Sequence, residues 1–119
     1  MRSEQVKLQS ALKDIDQHVS DALEVIGELT VVQFCADHEK VAAVGFHGII
    51  IGEAASRALS AGHHIDEPEL VSHLQRARLA RNEFVHEYDV LEPDNLYVTV
   101  TNVYVPLQRS VREYLGLPT

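Results

Sequence analysis

The sequence lacks the features that mark secreted, cysteine-ligated and membrane-spanning proteins. It contains one cysteine, Cys35, so neither an internal disulfide nor a cysteine-based metal site can form. The N-terminus is polar from the start and has no apolar stretch typical of a signal peptide. Apolar runs such as GIII at 48–51 are far too short to span a membrane. We therefore expect a soluble, cytoplasmic protein that makes no membrane contact.

Basic residues are also scarce. Ten Lys and Arg stand against 18 Asp and Glu, which gives a net charge of −8. This balance argues against a general nucleic-acid coat, because Lys and Arg drive phosphate binding. Three of the ten, Arg76, Arg78 and Arg81, fall within seven residues, QRARLAR. Such a basic spot could hold one phosphate group or dock an acidic partner, and a solvated helix face explains it equally well.

The hydrophobic pattern predicts one all-α domain over residues 1–119, built as a bundle of four main helices plus a short one. Ser3 and Thr30 are candidate N-caps of the first helix and of the short second helix. Asp66 is a candidate N-cap of the fourth main segment, with Pro68 in its first turn. The predicted helices cover approximately 3–28, 31–37, 39–60, 66–88 and 95–117.

The last segment, 95–117, is ambiguous. Its stretch YVTVTNVYV is β-branched and alternating, as in a strand. However, Leu96, Val100, Val103, Leu107, Ser110 and Tyr114 recur at steps of three and four. We favour a helix because the sequence offers no second strand, and an isolated strand is not stable. Pro106 should then kink this helix, since it lacks one backbone donor. The preceding DVLEPDN is predicted to be a loop.

Three glycines, Gly45, Gly48 and Gly52, lie inside the predicted third helix. Each costs about 1 kcal/mol relative to alanine in a helix interior. Gly48 and Gly52 are four residues apart, so they share one face and permit another helix to approach closely. We expect close packing within a soluble bundle.

The motif RNEFVHEY, residues 81–88, places chemically capable side chains near a helix end. Histidine can transfer a proton near neutral pH, and arginine can hold a phosphate. Arg81 and His86 point roughly 140° apart on a regular helix, whereas Asn82 and His86 face together. An Arg–His site thus needs a loosened helix end or a second copy of the chain. Spacing alone favours the simpler reading, in which His86 only bonds within a helix end.

The motif RNEFVHEY resembles the R-N-x-x-x-H-x-Y signature of the HepT-like branch of HEPN proteins. IIIGEAASRALSA and LTVVQFCADHEKVAAV resemble the helices that precede that signature in the same branch, and the likeness covers roughly residues 12–115. The family often has Pro-Trp before the arginine and an aromatic-glycine turn after the tyrosine. Both are absent here, which leaves the role of that loop open.

The resemblance implies a HEPN-like two-fold homodimer that acts as a ribonuclease toxin without cofactor or metal. Arg81 and His86 correspond to the family's proposed catalytic residues, with Asn82 as the polar residue between them. Tyr88 corresponds to a tyrosine that accepts AMP from a minimal nucleotidyltransferase antitoxin in some family systems. We add Arg76 and Arg78 as candidate contacts to the RNA phosphates. The alternative is a non-catalytic binding module that docks the nucleotidyltransferase and serves as its substrate, which suits the acidic composition.

We expect no metal site, because the histidines outside the motif are scattered and zinc sites usually show tighter ligand spacing. The densest group is His63 and His64 with Asp66. We also expect Glu53 to pair with Arg57, which is four residues further along the same helix.

Overall fold

The computed structural model describes residues 3–86 and 92–119, except for the side chains at positions 85 and 86. These two ranges contain no β-strand, and none of their helices is long and apolar enough to cross a membrane. The all-α prediction is confirmed. The helices are α1 (Glu4–Ile26), α2 (Val31–Cys35), α3 (His38–Leu59), α4 (Pro68–His86), α5 (Pro93–Thr99), a π-helical segment (Val100–Tyr104) and α6 (Val105–Leu115).

The first three helices begin at side chains that cap free backbone N–H groups. Ser3 Oγ accepts a hydrogen bond from the Val6 N–H at 3.1 Å. Thr30 forms a capping box with Gln33, in which each side chain accepts from the other residue's N–H. Asp37 accepts from the Lys40 N–H at the start of α3. The predicted caps Ser3 and Thr30 are therefore confirmed.

Two details of the helix starts differ from the sequence prediction. Helix α4 begins at Pro68, so Asp66 lies too early to be its N-cap. The last helix begins at Pro93 rather than after the expected DVLEPDN loop, with Glu92 as its N-cap. Proline suits the first helical position in both cases, because its ring presets φ and the missing N–H has no intrahelical partner there.

The final segment is a continuous helix, as expected, but its middle is wider than an α-helix. The Val105 N–H donates to the Val100 carbonyl, five residues back. Pro106 follows directly, and its ring would clash with a carbonyl four residues earlier in a regular α-helix. The disturbance expected at Pro106 thus takes the form of a π-helical turn just before it.

Helix α3 is central to the bundle. It packs against both α1 and α4, and α6 contacts the same two helices. The buried side chains come from every helix, and Phe34 and Tyr104 are the largest of those that are fully buried. Within the last helix the buried stripe is Leu96, Val100, Tyr104, Leu107, Ser110 and Val111. Tyr104 and Val111 thus replace the predicted Val103 and Tyr114, which are only half-buried.

Polar contacts fix the last helix to α1. Arg112 donates twice to the Asp16 carboxylate, at 2.8 and 3.0 Å. Gln108 donates to the same residue and to Ser20 Oγ. On the surface of the α1–α3 pair, Arg57 binds Asp14. The predicted Glu53–Arg57 pair is therefore wrong, because a carboxylate on the neighbouring helix takes the arginine.

Candidate active site

The glycines of α3 set how closely α4 approaches. A Cβ atom added at Gly52 would lie 2.1 Å from Arg81 Cβ and 3.0 Å from the Ala77 carbonyl oxygen. Carbon atoms make contact at about 3.5–4.0 Å, so no side chain fits there while α4 stays in place. A Cβ at Gly48 would meet the Phe84 ring at 2.7 Å and the Tyr104 hydroxyl at 2.6 Å. The close packing predicted from the four-residue glycine spacing is confirmed.

The first residue of the motif, Arg81, lies at this closest approach. Its Cβ and Cγ cover the bare backbone of Gly52, which anchors the start of the side chain. Its Nε is buried and has no hydrogen-bond partner among the described residues. A buried donor without a partner costs about 1–3 kcal/mol, so it needs an explanation. An anionic ligand would satisfy the guanidinium, which always carries charge.

Tyr104, which the sequence analysis did not single out, lies against the same glycine face. Its ring is fully buried, and its hydroxyl finds no hydrogen-bond partner among the described residues. Burial raises the pKa of this hydroxyl far above its usual range. Tyr104 therefore stays neutral, and its buried side chain packs next to Gly48. Pro106 predicts a disturbance of this helix, but the sequence does not show that it is a π-helical turn, which sets the register of Tyr104.

The remaining predicted residues continue along α4 toward its end. Arg76 is exposed, while Arg78 and Asn82 are half-buried. Arg78, Asn82 and position 86 follow one another at four-residue steps, so they occupy one side of the helix. His86 is the last residue of α4. Tyr88 lies outside the described residues.

The helix remains α-helical through Arg81 and His86. Their backbone positions are therefore about 140° apart around the axis. One site could use both residues if the end of the helix were loosened, but α4 is regular up to residue 86. The other way to combine them is a second copy of the chain.

The comparison with protein families decides the affiliation. A family model described as "Ribonuclease HepT-like" matches residues 10–114. The chain belongs to the HepT-like ribonuclease family. No curated protein and no solved structure shows significant similarity to it. The HepT-like match runs from within α1 to nearly the end of α6, and the motif lies well inside it. The roles of the individual motif residues stay predictions.

Proposed function

We propose that this HepT-like chain is the ribonuclease toxin of a toxin–antitoxin pair. Two copies would form a composite site that cleaves RNA without a metal ion. The observation that carries the proposal is Arg81, a family-motif arginine with its stem fixed against Gly52 and a buried Nε that lacks a partner. A phosphate group of RNA is an anion that would satisfy this donor.

The chemistry uses groups that the motif supplies. In RNA the 2′-hydroxyl lies next to the scissile phosphate and can attack it. His86 of one copy would take the proton from that hydroxyl, and His86 of the second copy would give a proton to the departing 5′ oxygen. Arg81 would stabilise the charge that develops on the phosphate, with Asn82 as a neighbouring polar contact. Arg76 and Arg78 would hold flanking phosphates. The products are a 2′,3′-cyclic phosphate and a 5′-hydroxyl.

The test of the function is an RNA digestion by the purified protein in the presence of a chelator. Cyclic phosphate ends on the products support the proposed mechanism. Intact RNA at high protein concentration, together with normal growth of cells that express the chain alone, contradicts it.

An exposed apolar side chain on α4 supports the two-fold arrangement. Leu79 is 59% exposed. It lies seven residues before His86, on the same face of the helix. In a two-fold dimer this face would meet its own copy, which would cover Leu79 and bring the two motifs together.

We expect Leu79→Glu to weaken dimerisation by at least about tenfold, because a buried unpaired charge opposes association. Sedimentation or light scattering across a concentration series measures this change. Val98→Glu is the matched control, since Val98 is 48% exposed on a different helix, α5. A protein that is monomeric at micromolar concentration, or equal effects of the two substitutions, would contradict the α4 interface.

The antitoxin would act on Tyr88. AMP on this tyrosine adds bulk and negative charge next to the position of an RNA phosphate, so it would block the substrate. Two of the three other tyrosines are poor acceptors. The Tyr97 hydroxyl donates to the Leu29 carbonyl at 2.9 Å, and the Tyr104 hydroxyl is buried. Tyr114 is half-buried and is the natural control.

Incubation with a neighbouring-gene nucleotidyltransferase, ATP and Mg²⁺ should therefore add one or more AMP groups to the chain. Tyr88→Phe should abolish the addition while RNA cleavage stays largely intact, because Arg81 and His86 are unchanged. Tyr114→Phe should leave the addition unaltered. Intact-mass and peptide mass spectrometry measure both. A label on another residue, with a transferase of proven activity, rules out the assignment to Tyr88.

A second candidate function is a non-catalytic module that docks the nucleotidyltransferase. The net charge of −8 favours it, since RNA capture is driven by basic residues. This candidate predicts AMP addition without any RNA cleavage, so the digestion and the labelling experiment together separate the two.

A further inference from the structure

Two histidines from different helices face each other at the α1–α3 contact. Nδ1 of His18 lies 2.9 Å from Nδ1 of His47, and the two ring centroids are 5.2 Å apart. Asp21 is one turn beyond His18 on α1. One ligand atom from each of the three side chains lies within 4.8 Å of the other two. These residues come together although His18 and His47 are 29 positions apart in the chain.

We propose that His18, Asp21 and His47 bind one divalent transition-metal ion, with zinc as the best fit. Two imidazole nitrogens and a carboxylate are common zinc ligands in proteins, with bonds of about 2.0–2.2 Å. Tetrahedral ligands at such bond lengths are about 3.3 Å apart. The two Nδ1 atoms need to separate by only a few tenths of an ångström to reach that spacing.

The direct contact between the two rings suits a shared cation. The two Nδ1 atoms are 2.9 Å apart, so the rings can share one proton as an N–H···N hydrogen bond. A metal ion that replaces this proton would bind both rings and, unlike the proton, would also use the carboxylate.

A neighbouring hydrogen bond and the partial exposure of the three side chains both suit a metal site. Gln17 Nε2 donates to Asp21 Oδ1 at 2.9 Å, which orients the carboxylate and leaves its second oxygen available. All three side chains are half-buried, so a water molecule can reach the fourth coordination position. The ion would clamp α1 to α3. The three residues lie on these two helices and not on α4, so the clamp is independent of the proposed ribonuclease activity.

The experiment titrates the metal-stripped protein with Zn²⁺ by calorimetry. We expect one ion per chain and a rise in the unfolding temperature on addition of zinc. His18→Gln and His47→Gln should each weaken binding by at least about tenfold, and Asp21→Asn should weaken it less. Co²⁺ in place of Zn²⁺ should give the strong visible absorption of a tetrahedral site, and this absorption should be lost in the histidine variants.

The matched control is His64→Gln, since His64 lies in the exposed turn with Asp66 at 3.9 Å. It should keep the affinity of the wild type. Equal affinities of wild type and His47→Gln, or equal losses in the control, overturn the proposal. If the histidine variants do not fold, nitrogen NMR of the wild type decides instead. Zinc must then shift the ring nitrogens of His18 and His47 selectively, and unchanged signals reject the site.

Discussion

His86→Ala is expected to lower the rate of RNA cleavage by about 10²- to 10⁴-fold, the usual loss when a positioned proton carrier is removed. Alanine is the best helix former, so the end of α4 should keep its structure. The measurement is the initial rate of cleavage of a labelled RNA, with folding checked by circular dichroism. In the proposed dimer each chain supplies one histidine, so a single substitution removes both base and acid. A folded His86→Ala protein that cleaves at the normal rate excludes the catalytic assignment.

Arg81 needs a more conservative substitution, because its stem packs on Gly52. Arg81→Lys keeps most of the apolar stem and the positive charge but loses Nε and the planar fork. We expect its cleavage rate to fall by about 10²-fold or more, since the guanidinium would stabilise charge that develops on the phosphate. Arg109→Lys, at an exposed arginine of α6, is the matched control and should change little. Equal rates for the two variants would show that a positive charge at position 81 suffices and that the guanidinium is not needed.

Mixed dimers test whether the site is composite. Because the proposed site uses His86 of both copies, a dimer of one wild-type chain and one His86→Ala chain should lack either the base or the acid. An excess of His86→Ala chain should therefore suppress the cleavage activity of the wild-type protein as mixed dimers form. If each chain carries a complete site, the mixed dimer keeps one that is intact, and the wild-type chains should keep their activity.

Much of the fold could be predicted because local signals agree with it. Ser3 and Thr30 indicate where helices begin, because their side chains accept hydrogen bonds from backbone N–H groups of the first helical turn. The spacing of Gly48 and Gly52 indicates a close helix contact, and the structure has one at that position. Signals of this kind act within one or two turns of a helix, so a single sequence is enough to read them.

The parts that the sequence could not provide depend on contacts between distant segments. His18 and His47 approach only because α1 and α3 pack together. Arg57 has an acidic neighbour at the favoured spacing on its own helix, yet it binds Asp14 across the interface. The register of Tyr104 depends on a π-helical turn, and a periodicity argument assumes a regular α-helix.

Gly52→Ala should destabilise the protein by about 3 kcal/mol or more, the upper range for adding a methyl group to a packed interior. The added Cβ would lie 2.1 Å from Arg81 Cβ, and both atoms are attached directly to the backbone. No rotamer change can relieve the overlap, so α3 and α4 must separate. The gain in helix propensity, about 1 kcal/mol, cannot offset this cost. For a domain of this size the unfolding temperature should fall by about 10 °C or more.

Gly45→Ala is the matched control on the same helix. Among the described residues, a Cβ at position 45 would meet only Leu96 Cδ2, at 4.0 Å, which is ordinary contact. This substitution should therefore stabilise the protein by about 0.5–1 kcal/mol through the unfolded state and helix propensity. Thermal and urea unfolding of both variants measure the contrast. Because Arg81 is carried by the displaced turn of α4, Gly52→Ala should also lose cleavage activity at temperatures where it is still folded. A Gly52→Ala protein with the stability and activity of the wild type would show that the close α3–α4 approach does not position Arg81.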